Sequence, residues 1–246
     1  MNTTRLSKSP IIMGIFQLKF KAIEGVDVNK IISKDKSIKE IFSKRIDNYQ
    51  SSLGVNGTPA PGISFLKVQA DTKINSYTYK TEDGKKRLIV ERESITYVDE
   101  SEYRGWSSFK CDLVECIKLL IGQIEPCEVE RLSVRFVNKF TFDSFDDPLE
   151  YFTKTISTST DKMKYPLKKY AFRMFLDVKD HTWAVINHSL EPLENTIDYM
   201  FDIDVLSSTK IIMKMDAIAD ELEALHKIRN EIFFDALTEK TIELCN

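Results

Sequence analysis

The sequence predicts an α+β fold of largely antiparallel sheet with packed helices. Three observations predict it. Many short segments alternate apolar and polar residues, the period of a half-buried strand. Turn signals such as Asp83-Gly84 separate neighbouring segments, which favours hairpins and hence antiparallel pairing. A few longer stretches instead repeat apolar residues every three or four positions, the period of a helix packed by one face.

Residues 11–20 read as a first strand, with Phe16, Leu18 and Phe20 opposed to Gln17 and Lys19. Residues 35–53 read as a helix, because Ile38, Ile41, Phe42, Ile46 and Tyr49 recur at helical spacing and Asp35 or Ser37 offers a cap. Residues 54–62 hold three glycines and two prolines and read as a loop. Strands follow at 63–69, 75–81, 86–93 and 94–98. A second helix spans 107–123, with Phe109, Leu113, Val114, Ile117, Leu120 and Ile121 on one side.

The pattern then restarts. Residues 130–142 form a long strand, 148–156 a short helix, and 170–178, 182–190 and 196–205 three more strands. Ser207 or Ser208 caps a long helix reaching about Leu237, and 238–244 adds a last helical turn or two. Each half therefore reads strand, helix, strands, helix. This order suggests two tandem α+β halves, 1–126 and 127–246, joined in one compact unit.

The long helix carries the clearest pattern. Ile211, Met215, Ile218, Leu222, Leu225, Ile232 and Ala236 follow steps of four and three, and Arg229 interrupts them. Ile212, Ala219, His226 and Phe233 form a second row beside the first. Such a stripe covers a sheet or builds a dimer seam. For a homodimer or a partner protein, Ile228, Ile232, Phe233 and Phe234 are the expected contacts.

Composition narrows the function. The 246 residues are 42% hydrophobic, enough for a core without staples. With 35 basic and 38 acidic residues the net charge is -3, which does not indicate a nucleic-acid binder. There is no apolar run of the roughly 18 residues that span a bilayer, and residues 1–10 lack the apolar stretch of a signal peptide, so a cytoplasmic protein off the membrane is expected. Cys111, Cys116, Cys127 and Cys245 form no CxxC pair and read as free thiols.

There is no GxGxxG, P-loop, GxSxG or HExxH. Three groups of residues remain. The strand at 130–142 puts Arg131, Arg135 and Lys139 on one face, a row suited to phosphate. Its other face holds Asn138 between Phe136 and Phe140, where an amide must be hydrogen-bonded; neighbouring backbone is the expected partner. On the strand at 196–205, Asp202 and Asp204 point the same way, as a Mg²⁺ pair would, or as partners for the arginine row. His226 lies at the edge of the apolar stripe, where a half-buried histidine bonded to a neighbour is expected. His181 and His188 fall on opposite faces of one strand. The lysine-rich loop 162–169 offers a weak anionic contact.

Three stretches carry a family resemblance. Ser9-Pro10-Ile11-Ile12 leads into Phe16-Gln17-Leu18-Lys19-Phe20. Arg131-Leu-Ser-Val-Arg135-Phe136-Val137-Asn138 follows, and Leu225-His226 with Phe233 and Thr238-Glu-Lys240 closes the chain. Together with Asp202-Ile-Asp204 they resemble a sporadically distributed bacterial family of uncharacterised proteins of about this length. That family's strand is Arg-x-x-x-Arg-Tyr-Ile-Asn, and Phe136 stands here where it prefers tyrosine. Its scattered distribution implies accessory genes, such as phage defence or toxin–antitoxin systems.

The leading expectation is a non-enzymatic binding or accessory protein with no cofactor. The alternative is a phosphate-handling, Mg-dependent enzyme or nucleotide sensor, using Arg131, Arg135, Asp202 and Asp204. It requires both rows to converge in one concave pocket.

Overall fold

A computed structural model describes residues 6–21, 36–56, 67–121, 127–143, 147–155, 169–193 and 196–246. Ten strands follow the chain: β1 Ile11–Phe20, β2 Lys44–Asn56, β3 Lys67–Lys80, β4 Lys86–Glu91, β5 Ser94–Asp99, β6 Glu128–Phe142, β7 Tyr170–Lys179, β8 Thr182–Pro192, β9 Ile197–Ser207 and β10 Ile211–Ile212. The helices among the described residues are α1 Lys36–Ile41, α2 Trp106–Ile121, α3 Met215–Ala236 and α4 Glu239–Leu244. All ten strands join one antiparallel sheet in the order β2-β3-β4-β5-β1-β6-β9-β8-β7, with β10 beside β6. The fold is mixed α+β, with sheet predominant.

Period-two alternation decides which face is buried. Phe16, Leu18 and Phe20 of β1, Val134 and Phe136 of β6, and Tyr199, Phe201, Ile203 and Val205 of β9 are all fully buried. Register aligns them: Phe16 lies opposite Val134, and Phe136 opposite Ile203. A one-residue slip would turn each row away from the core, so the pattern pins the pairing. Helices α2 and α3 cover this face. Phe109 and Leu113 come from α2, and Ile218, Leu222 and Leu225 from α3, into one hydrophobic cluster. Gly14 is what lets α2 sit so low on β1. A Cβ there would lie 2.6 Å from the Phe109 ring, closer than carbon atoms pack.

The antiparallel β1/β6 pair is the centre of the sheet. Strands β5 to β2 extend from β1, and β9 to β7 extend from β6. Helix α2 follows the first group along the chain and α3 the second. The segments on either side of residue 126 thus share a sheet and a core.

The Asp83-Gly84 turn forms as the sequence predicts, with Gly84 at φ 73° and the Asp83 carboxylate accepting from the Thr81 hydroxyl and the Lys85 amide. Several elements differ from the sequence reading. The helix expected over 35–53 is only α1, and β2 begins at Lys44. Ile38 and Phe42 are buried as a helical stripe requires, but Ile46 and Tyr49, which continue its spacing, are 44% and 63% exposed. Their spacing is coincidental. Two turns of helix are marginal alone, and backbone pairing with β3 takes over. The Asn48 amide adds hydrogen bonds to the Ser76 and Thr78 hydroxyls.

The helix expected over 148–156 is a single 3-10 turn, Pro148–Glu150, capped by the Asp147 side chain. Phe152 then leaves to pair with Leu237. The long helix starts at Met215 rather than after Ser207 or Ser208. Ser207 completes β9, and Ile211 and Ile212 first pair with β6. Lys214 precedes the helix without a side-chain cap. His181 lies in the β7–β8 turn at φ 60°, not on a strand. Of the loop expected at 54–62, residues 54–56 instead extend β2, paired with β3. Asp35, the rest of that loop, most of the strand expected at 63–69, residues 122–123, Pro126 and most of the lysine-rich loop lie outside the described residues. No described helix is long and apolar enough to cross a membrane. The four cysteines are free; Cys116 and Cys245 are buried and Cys111 is exposed.

Candidate functional site

The arginine row and the aspartate row lie side by side on the sheet face opposite the helices. Register puts Arg135 opposite Asp204 and Val137 opposite Asp202. The Arg135 guanidinium reaches diagonally to Asp202 through two parallel hydrogen bonds, Nε to Oδ1 at 2.8 Å and Nη2 to Oδ2 at 2.7 Å. Asp202 also accepts from the Asn187 amide at 3.0 Å, and Asn187 accepts from Arg173 at 2.6 Å. Lys139 pairs with Asp198 at 2.7 Å. Arg131 donates to Gln17, whose amide donates to Thr96 at 3.1 Å. Among the described residues no group of three or more His, Cys, Asp or Glu is placed to hold a metal ion. Asp202 is engaged by Arg135 and Asn187, which leaves it poorly placed as a magnesium ligand.

Asp204 differs from Asp202. Burial pushes its carboxyl up to about 6, a rise opposed by Arg135, increased by Asp202 and opposed again by Arg131. Its Oδ1 is buried without a partner. A raised carboxyl binds its proton more tightly in the folded chain than in the unfolded one. Folded stability therefore falls as pH rises from about 4 to about 6, and the penalty persists above that window. Asp204→Asn is expected to relieve it. Urea denaturation should show the variant gaining about 1–3 kcal/mol more, relative to the parent, at pH 7 than at pH 4. Equal differences at the two pH values would show that Asp204 ionises without cost.

A second site lies on the helix side. The segment 6–11, residues 102–105, the start of α2 and the C-terminal half of α3 enclose a cleft of about 950 Å³. Hydrogen bonds from Lys8 N to Cys245 O and from Lys139 N to Pro10 O, both 2.8 Å, pin the first of these segments. Lys8, Glu102 and Arg104 on the rim are exposed. Tyr103, Trp106, His226 and Phe234 line the walls, and Arg229 and Phe233, each 3% exposed, form the floor.

Arg229 occupies the position where α3's apolar row is interrupted, between buried Leu225 and Ile232. It meets the other exception to pattern, Asn138 on β6. Arg229 Nη2 donates to Asn138 Oδ1 at 2.9 Å, and Nη1 donates to Asn230 Oδ1 at 3.0 Å. The guanidinium carbon lies 4.7 Å from the centre of the Phe136 ring and 4.6 Å from that of Phe233, within cation–π range. No carboxylate pairs with it among the described residues, and its Nε is buried without a partner. Burial lowers its pKa to about 10, so the group stays charged at neutral pH.

Asn138 does bond to backbone as expected, donating to Phe201 O at 2.7 Å and Phe136 O at 3.3 Å. That orientation turns its carbonyl oxygen toward Arg229. His226 stacks on Trp106, with ring centres 3.9 Å apart and planes 3° from parallel, and its Nε2 lies 3.1 Å from the Asn230 amide. Burial, then the Arg229 charge, pushes His226 down to about 4, so it is neutral at pH 7. Trp106 Nε1 donates to Glu223 at 2.9 Å, and Glu223 also pairs with Lys110, tying α2 to α3.

The sequence-predicted residues thus divide between two faces. Arg131, Arg135, Asp202 and Asp204 share the face away from the helices, whereas Asn138 and His226 belong to the cleft region. The expected interface residues are partly spent within the chain. Ile232 and Phe233 are buried in its own core, which corrects their reading as dimer contacts, and Ile228 and Phe234 pack half-buried at its edge. Arg229, Tyr103 and Trp106 were not singled out from sequence as site residues. The signal for Arg229 was the break in the stripe.

No known family model and no curated protein matches this chain. The family resemblance rests on the motifs quoted above.

Proposed function

We propose that the protein is a non-enzymatic binding protein and that the cleft between α2, α3 and residues 6–11 is where it holds its ligand. The observation that carries this reading is the state of the cleft's own polar groups. A general base works best with a pKa near the working pH. His226, at about 4, is too weak a base, and Arg229 keeps its proton. The aromatic walls instead provide apolar contact area, as binding sites of this size do. The phosphate-handling alternative draws on residues of the other face. Arg135 and Asp202 there neutralise one another, and none of Arg131, Arg135, Asp202 and Asp204 lines the cleft. The resemblance to an accessory bacterial family is compatible with a binding role.

Native mass spectrometry of the protein purified from its own host tests the proposal. A bound species is expected, and the folded variant Phe234→Glu should lose it, because that substitution puts a charge on the apolar wall. An adduct retained by Phe234→Glu but lost on Asp202→Asn would move the site to the other face and favour the alternative.

A further inference from the structure

The cleft's floor holds a cation that the fold itself does not neutralise. Taking a guanidinium out of water costs several kcal/mol unless a counter-charge or a full set of acceptors replaces the solvent. Among the described residues Arg229 has two amide oxygens and two ring faces but no acid, and its Nε has no acceptor. A leucine would continue the stripe of α3 at this position without that cost. Buried polar groups left unsatisfied in a native structure call for an explanation, and ligand contact is one.

The surroundings favour an anion. Among the lining residues Lys8 and Arg104 stand on the rim with one acid, Glu102, and Arg104 also pairs with Asp112 at 3.8 Å, whereas Arg229 on the floor has no counter-charge among the described residues. The nearby imidazole of His226 is neutral and does not compete for the charge. Tyr103, Trp106 and Phe234 flank the floor with aromatic surface. We infer that Arg229 receives the anionic group of the ligand, a carboxylate or phosphate borne on an apolar or aromatic body that packs against these rings. The inference rests on the reading of the cleft as a binding site and adds the class of ligand.

Three probes with one phenyl body separate charge from body: phenylacetate, phenyl phosphate and phenylacetamide, the neutral isostere of the first. Isothermal titration calorimetry on the full chain should show at least one of the two anions binding about tenfold or more tightly than the amide, the usual consequence of a charge-assisted pair. Which anion wins identifies the source as carboxylic or phosphoric. Arg229→Met should remove the preference. Should that variant fold poorly, Arg229→Lys keeps the charge but loses the planar fork, and is expected to weaken both anions while still favouring them over the amide. Equal affinity for acid and amide would overturn the inference yet leave the cleft a binding site. Binding of neither anion, or a preference that survives Arg229→Met, would overturn it as well. An adduct found by native mass spectrometry keeps the binding reading separate from all three results.

Discussion

Phe136→Ala is expected to destabilise the protein by about 3–5 kcal/mol, the usual range for truncating a buried phenylalanine. Phe136 sits in the central pair of the sheet and is fully buried. Its ring packs edge-on to Tyr103 and Trp106, lies 5.3 Å from Phe109 and carries the Arg229 guanidinium on its face. No neighbour can close the space easily, because Phe109 is already seated on Gly14. Urea denaturation followed by far-UV circular dichroism measures the loss. A cost below about 1 kcal/mol would mean that α2 and α3 settle onto β6 without strain.

The second large effect is expected at Asn138. Asn138→Leu keeps the side chain's branched heavy-atom skeleton but removes the acceptor of Arg229 Nη2 and the two donor bonds to backbone. Removing one partner of a buried charged group costs about 3–5 kcal/mol, because the charge stays behind. The cost should be recovered in large part when Arg229→Met is added. The double variant has no stranded cation; what it still lacks is the Asn138 donor to the Phe136 and Phe201 carbonyls and the Arg229 donor to Asn230. A double-mutant cycle in urea reads this directly: a coupling above about 1 kcal/mol is expected, and strict additivity would show that the two residues act independently.

Much of the sheet was legible because its signal is local. Period-two alternation in residues 11–20, 130–142, 182–190 and 196–205 and the Asp83-Gly84 turn each need only a few neighbours to be read. The failures came where local and non-local terms compete. Residues 44–49 carry a helical spacing by accident, and only the pairing of β2 with β3 reveals that Ile46 and Tyr49 are outside the core. The start of the long helix was misplaced because Ile211 and Ile212 fit its stripe, while in the fold they extend the sheet beside β6.

The candidate site was legible only in fragments. Asn138 on an apolar face, Arg229 in an apolar row and His226 at its edge were each visible as an exception. Nothing in the chain shows that the first two, 91 positions apart, are hydrogen-bonded. Trp106 gave no signal, because an aromatic at the start of a helix is unremarkable until the partner helix stacks a histidine on it. The arginine and aspartate rows could be paired from sequence because both strands alternate strictly.

The position of β1 sets a timetable for the chain. Among the described strands it is made first, yet both its neighbours come late: Lys19 pairs with Ser94, and Ile11 with Asn138. At roughly 5–20 residues per second, the strand waits on the order of ten seconds for β6. The β3–β4 and β4–β5 hairpins close within microseconds of being made, and β5 then offers β1 one edge while the edge that faces β6 stays open. The centre of the finished sheet is therefore joined only after β3, β4 and β5 have been made. Nascent chains stalled before residue 128 would carry an apolar strand with one edge open, a species that chaperones recognise and that aggregates when they are scarce.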